Sequence, residues 1–252
     1  EGRDVPAILK VAGDRPFYRV QDGRRQYLDA AGDYHDVVRA RLDALVAARP
    51  DLCSIVNLPV LSIQGRTIKG LRISRHSAGA SVPAFAVTAT QHAREWAGTM
   101  TSMWIVDRLV EDADTDARVK AIVDASEIFI FPVLNPDGYE YSWTTTRLWR
   151  KNRRLNSGGS YGVDLNRNWS VGFGGAGSSG TQTSDTYRGT AAFSEPETAG
   201  FRDFLQNRLN MAGHIDLHSY SQTLMWPYSY TATLPPESAS WCSSVTSLNS
   251  RW

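Results

Sequence analysis

Val82-Pro83-Ala84-Phe85-Ala86-Val87-Thr88-Ala89-Thr90-Gln91-His92-Ala93-Arg94-Glu95-Trp96 is the stretch on which the fold turns. Its first nine residues are small and apolar with little alternation, as expected of a strand buried on both faces. The run stops at a polar knot, and Ala97 to Val110 then reads as a helix. His92 and Glu95 are three residues apart, on one side of a single helical turn, so both can reach one cation. A second apolar run, Gly213-His214-Ile215-Asp216-Leu217-His218, also ends on a histidine. Two imidazoles and one carboxylate form a ligand set that leaves a zinc position open for water, the arrangement of hydrolytic rather than structural sites. His214 competes with His218, because the two share a strand face by period two. His218 is favoured because it stands where the chain turns polar at Ser219.

A histidine and a glutamate at this spacing are weak evidence alone, since five histidines in 252 residues produce such pairs by chance. Their place at the mouth of a buried strand strengthens the case, because an ionisable pair there is costly unless paired or ligating. No H-E-x-x-H occurs, which excludes the common helical zinc-protease layout. His35 and His76 have no comparable setting and read as surface groups.

Working outward, residues 1–32 are weakly patterned and read as an N-terminal arm or the remnant of a pro-segment. Residues 33–252 read as one domain. Asp33 is placed to cap a helix over Tyr34 to Arg49, with Val38, Leu42, Leu45 and Val46 on its buried face. Ser54 to Leu61 and Thr67 to Ser74 form a predicted hairpin around Gln64-Gly65-Arg66. A helix over Asp116 to Ala125 and a strand over Glu127 to Leu134 follow, and Asn135-Pro136-Asp137-Gly138 reads as a turn. Tyr139 to Tyr187 reads as a long functional loop. Ser194-Glu195-Pro196-Glu197 has the form of a capping box opening a helix that buries Phe201, Phe204, Leu205 and Leu209. Pro235-Pro236 restart the chain into a last helix. The alternation predicts an α/β fold: a mixed, largely parallel central sheet with helices on both faces and the site at strand ends.

A net charge of +1 gives no basis for nucleic-acid or anionic-membrane binding. No apolar run approaches the roughly 20 residues of a membrane span. Cys53 and Cys242 are read equally as one disulfide or as two buried thiols. Two motifs are decoys. Gly158-Gly159-Ser160-Tyr161-Gly162 fits G-x-S-x-G, and Gly172 to Gly177 fits G-x-G-x-x-G, but both lack the flanking strand and helix that those motifs require. Asn168-Trp169-Ser170 is a formal glycosylation sequon in an unsuitable setting. Arg147-Leu148-Trp149-Arg150-Lys151 and Asp164-Leu165-Asn166-Arg167-Asn168-Trp169 would ordinarily be solvated loops. Near a zinc, however, their arginine and asparagine donors suit a substrate carboxylate.

The segments QHAREW, NPDGYEYSW, RLWRKNR, GVDLNRNW, TYRG, FSEPET and HSYSQ, in this order, resemble the zinc metallocarboxypeptidases of the carboxypeptidase A/B type. The resemblance implies that His92, Glu95 and His218 bind one Zn²⁺ per chain, with Asp164 orienting His92. It implies that Arg150 polarises the scissile carbonyl and stabilises the oxyanion. Asn166 and Arg167 would hold the substrate's terminal carboxylate, and Arg94, Ser219 and Tyr220 would line the neighbouring subsite. The bond between Ser219 and Tyr220 would be cis. Peptide or protein C-termini are the implied partners of a secreted, extracellular monomer.

The family's general-base glutamate lies well beyond the second histidine, and Glu237 is too near to match it. The chain is therefore expected to be a C-terminally incomplete carboxypeptidase, inactive as it stands and prone to aggregate along an unpaired strand beside His218. The alternatives are a non-catalytic module binding zinc and peptide C-termini and, more distantly, a serine hydrolase built on Ser160.

Overall fold

The structure, a computed structural model, describes residues 34–220 without interruption, the backbone of 10–11, 15–16, 18–21 and 24–27, and scattered positions after 222. The expected last helix, Glu237 and Cys242 lie outside the described residues, as do the Asp33 cap and the side chain of His35. Within the N-terminal arm, β1 (Lys10–Val11) pairs with β2 (Arg15–Pro16), and β3 (Tyr18–Gln21) pairs with β4 (Arg24–Tyr27), both antiparallel.

Helix α1 (Tyr34–Ala48) buries Val38, Leu42 and Leu45, as its spacing predicts. β5 (Cys53–Leu61) and β6 (Thr67–Ile73) form the antiparallel hairpin. Gly65 takes φ +87° in its turn, a conformation that strains any other side chain. β7 (Ala84–Ala89) leads to α2 (Trp96–Glu111). α3 (Ala117–Ala125) is capped by Asp116, whose carboxylate accepts from the Arg118 and Val119 amides. β8 (Glu127–Phe131), α4 (Pro136–Thr144), α5 (Pro196–Gln206) and β9 (Met211–Leu217) complete the described elements.

The five-stranded sheet has the order β5-β6-β8-β7-β9. β7 runs parallel to β8 and β9, whereas β6 is antiparallel to β5 and β8. The sheet is thus mixed, with two parallel and two antiparallel pairings among the described strands. Alternation along β8 separates the two cores. Ile128 and Ile130 join Val87, Leu71 and Ile73 beneath α1, α2 and α3. Phe129 and Phe131 face the other way and pack edge-on against Phe201 and Phe204 of α5. Across the sheet's first face, the fully buried Arg41 of α1 meets the equally buried Asp107 of α2 at 2.6 Å. Among the described residues no helix is long and apolar enough to cross a membrane.

Three local expectations need correction. Asn135-Pro136 begins helix α4 instead of making a turn: the Asn135 side chain accepts from the Gly138 amide, and Pro136 occupies the first turn, where its missing N–H costs nothing. The capping box at Ser194 does not form. Glu195 is the N-cap residue, and Glu197 reaches sideways to the Ile63 amide at 3.0 Å, so the acid ties α5 to the hairpin rather than closing on its own helix. Leu209 lies beyond the end of α5 and is fully exposed.

Candidate metal centre

The site is built by the pairing of β7 with β9. In their parallel register Ala89 stands beside Leu217, so both strands deliver their next residues to the same sheet edge. Beyond β9 comes His218. Beyond β7 the chain reverses at Thr90, a β-branched residue held at φ +62°. Its hydroxyl donates to the Pro132 carbonyl at 3.1 Å and bonds the Thr99 hydroxyl, contacts that hold the strained turn. His92 and Glu95 follow in a turn closed by the Glu95 amide on the His92 carbonyl at 3.2 Å. They thus lie in the connection before α2 rather than in a helical turn, but the spacing still brings both side chains to one point. Helix α2 packs so tightly over the strand ends that a Cβ at Gly98 would sit 2.9 Å from the Leu217 carbonyl oxygen.

Nδ1 of His92 lies 2.8 Å from Glu95 Oε1, Nδ1 of His218 lies 2.8 Å from Glu95 Oε2, and the two Nδ1 atoms are 3.1 Å apart. The donor atoms of these three residues lie within 4.8 Å of one another. Donors on a tetrahedral zinc with bonds near 2.05 Å stand about 3.3 Å apart, so a few tenths of an ångström of spreading would admit the ion. The remaining ring nitrogens are also engaged. His92 Nε2 meets Asp164 Oδ1 at 3.1 Å, and His218 Nε2 meets Asp216 Oδ2 at 2.6 Å. A carboxylate behind each imidazole leaves Nδ1 of both rings turned to the shared centre, which fits a metal-binding set. His214, the competing histidine, contacts the Thr88 hydroxyl and the Phe201 ring and is not part of the cluster.

Charge in the cluster is mutually stabilised. Burial opposes the ionised form of Glu95, but hydrogen bonds from His218 and His92 outweigh it and hold the carboxyl well below its ordinary range. Burial likewise opposes charge on His218, and Asp216 and Glu95 overcome it, pushing its pKa up to about 10. Asp164 is lowered against burial by His92 and Arg150. The carboxylates that stabilise a proton on this ring would equally stabilise a metal cation, which must displace that proton to use the nitrogen lone pair.

Asp164 is fully buried, accepts from the Asn166 amide at 3.0 Å, and caps a short 3₁₀ turn, Leu165–Arg167. Arg150 reaches Asp164 Oδ2 through Nε at 3.1 Å and Nη2 at 2.9 Å. The Arg150 carbonyl accepts from the Ala93 amide at 3.0 Å, tying this loop to the turn that carries His92 and Glu95. The arginine-rich run is exposed at Arg147 and Leu148 and turns inward to the buried Lys151, with two of its guanidinium groups against aromatic rings. Arg147 lies over the Trp96 ring at 3.5 Å, and Arg153 lies among the rings of Tyr141, Trp149 and Tyr161. Arg167 donates to the Gly177 carbonyl through Nε and to the Asn166 carbonyl through Nη1. Arg94 reaches the Leu148 carbonyl at 3.2 Å. The Ser219 amide donates to Glu95 Oε2 at 3.1 Å, the Ser219–Tyr220 peptide is cis, and Tyr220 is exposed.

Asp216 and Gln91 are the residues that sequence reading passed over. Period two placed Asp216 on the face of His214 and His218, a signal that was available. Ser160 sits in a turn between the bridged residues Leu155 and Tyr161, without the strand and helix of a nucleophile elbow. Asn168, the sequon residue, is fully buried, and its amide donates to the Arg188 and Ala191 carbonyls.

Comparison with known proteins matches residues 38–250 to the zinc carboxypeptidase family. Carboxypeptidase A2 of Rattus norvegicus is 41% identical over 237 residues, which are 93% of this chain and 56% of the relative. Carboxypeptidase A1 of Bos taurus is 36% identical over the same share of each. Among solved structures, carboxypeptidase A from Helicoverpa armigera superposes with TM-score 0.75 at 34% identity, covering 83% of this chain and 50% of that one. Thrombin activatable fibrinolysis inhibitor superposes with TM-score 0.77 at 30% identity, covering 82% and 52%. The chain spans about half the length of the curated relatives it matches.

Proposed function

The chain belongs to the zinc carboxypeptidase family, and from that premise we propose that the whole protein is a zinc-dependent exopeptidase hydrolysing the C-terminal peptide bond of peptides and proteins. The observation that carries the reading is the convergence of His92 Nδ1, His218 Nδ1 and the Glu95 carboxylate, with a second carboxylate behind each ring. Zinc held by these three would supply Lewis acidity and a bound water with a pKa near 7.

The chain's own residues account for binding and orientation. Asp164 fixes the His92 ring and shares its other oxygen with Arg150, which keeps a guanidinium beside the cluster. In the proposed mechanism Arg150 stabilises the carbonyl oxygen as negative charge develops on it. Asn166 and Arg167 receive the terminal carboxylate, for which a planar guanidinium is geometrically suited. Arg94, Ser219 and Tyr220 border the preceding residue of the substrate. One zinc ion per chain and a monomer acting outside the cell complete the proposal.

A second reading, a module that binds zinc and peptide C-termini without turnover, draws on one observation. Among the described residues, the carboxylates bordering the donor atoms already orient an imidazole or serve as a donor, so none is left to take a proton from water. The two readings separate by experiment. The zinc-loaded 252-residue chain and the whole protein are each given a peptide with a free C-terminus and its amidated counterpart. Turnover of the free peptide by the whole protein, lost on chelation and restored by zinc, supports the exopeptidase. Binding without turnover by both supports the module. In either case Arg167→Ala should weaken the free peptide far more than the amide, and equal losses would remove Arg167 from carboxylate recognition.

A further inference from the structure

We propose that Asp216 is the positioning residue for the second histidine of the cluster: it grips His218 by Nε2 and so presents Nδ1 to the metal. The inference rests on the zinc reading above and extends it to a residue that takes no part in ligation.

The two histidines are held differently. His92 is buried, in a turn fixed by α2 and the Arg150 loop, with Asp164 behind it. His218 follows the last residue of β9, at the edge of the described sheet, and its side chain is 27% exposed. The His218 ring is thus less enclosed than that of His92, and its orientation rests more on its polar partners. Its Nε2 has one close partner, Asp216 Oδ2 at 2.6 Å. A carboxylate can only accept, so Nε2 carries a hydrogen toward Asp216, and Nδ1, which faces Glu95 and His92, is the nitrogen whose proton a metal ion would displace.

Asp216 is in turn locked from β7. Thr88, opposite it in the register, donates its hydroxyl to Oδ1 at 2.7 Å, and the Gln91 amide donates to Oδ2. Each of these partners is fixed as well. The Thr88 oxygen lies 2.8 Å from His214 Nε2, and Gln91 Oε1 accepts from the Trp169 indole at 3.0 Å. Gln91 is the residue before the ligand His92, and Trp169 lies in the loop of Asn166 and Arg167. The carboxylate orienting His218 is thereby referenced to the strand carrying the first histidine and to the loop assigned to substrate. This is the supporting arrangement that a ligand on an otherwise loose strand end requires.

The test is zinc affinity of the 252-residue chain, read by competition with a chromophoric chelator, together with the visible absorption of the Co²⁺-substituted form. Asp216→Ala should weaken zinc on the order of 10- to 100-fold and alter the Co²⁺ spectrum, while the near-ultraviolet dichroism of the metal-free chain is retained. Asp216→Asn keeps the shape and one acceptor oxygen, so it folds where the alanine variant fails, and it should fall between the two. Zinc affinity within twofold of wild type in a folded Asp216→Asn or Asp216→Ala chain, with an unchanged Co²⁺ spectrum, overturns the proposal. His92→Ala and His218→Ala are run in parallel. If they retain one tightly bound zinc, the zinc reading itself fails. If they lose it while the Asp216 variants do not, only the role of Asp216 fails.

Discussion

Glu197 offers a test of the fold's electrostatics away from the metal centre. Its side chain is fully buried where α5, the β5–β6 turn, the start of α4 and the Asn152 loop meet. Oε1 accepts from the Ile63 amide at 3.0 Å, and Asn152 Nδ2 approaches Oε2 at 3.4 Å. The charged neighbours are Glu195, paired with Arg154, and Asp137, paired with Arg66. Three carboxylates thus share two guanidinium groups. Burial, then the repulsion of Glu195 and Asp137 acting against the Ile63 hydrogen bond, pushes the Glu197 carboxyl from 4.5 up to about 7. An acid whose proton is held more tightly in the folded chain stabilises that chain below its unfolded pKa. The contribution is lost as pH rises from 4.5 through about 7. One pH unit is worth about 1.4 kcal/mol, so the whole displacement corresponds to about 3 kcal/mol. Glu197→Gln imitates the protonated acid and removes the titration. Urea unfolding at submicromolar protein, followed by tryptophan fluorescence, gives the difference in stability between variant and wild type. Relative to its value near the acid end, that difference should grow in favour of glutamine by about 3 kcal/mol as the pH passes 7, and then level off. A difference that stays flat across the range would refute a protonated Glu197 in the folded chain.

Three further outcomes are expected. Arg150→Ala in the whole protein should lower kcat by about 100- to 1,000-fold with a smaller effect on KM, provided zinc content is unchanged; a raised KM at constant kcat would make Arg150 a binding residue only. Asp107→Ala should destabilise the chain by about 3 kcal/mol, because it deprives the fully buried Arg41 of its closest carboxylate, whereas Arg41→Met combined with Asp107→Leu should recover most of the loss in urea unfolding. A double variant as unstable as the single one would show that packing rather than charge is at stake. Ile215 is 58% exposed on β9, the edge of the described sheet, so Ile215→Lys should reduce light scattering of the concentrated chain; unchanged scattering would place self-association elsewhere.

The sequence by itself determined the elements whose signals are local. The buried run into Gln91 and His92, the hairpin glycine at position 65, the short helix ending at Ala125 and the apolar spacing of α1 all depend on neighbours in the chain, and each element is present in the structure. The members of the candidate cluster were legible for the same reason, since strand ends are marked where apolar runs turn polar. Asn135-Pro136 and Ser194 to Glu197 were misread because each carries two compatible signals. Asn-Pro serves a turn or a helix start equally, and Glu197 could cap its own helix until the Ile63 amide came within reach from another element. Tertiary structure alone decided that β7 and β9 lie side by side. No local pattern specifies which strand lies beside which, because that depends on packing between residues more than 120 positions apart. The same pairing put Asp216 against Thr88, turning a carboxylate unremarked in the sequence into the partner of the His218 ring.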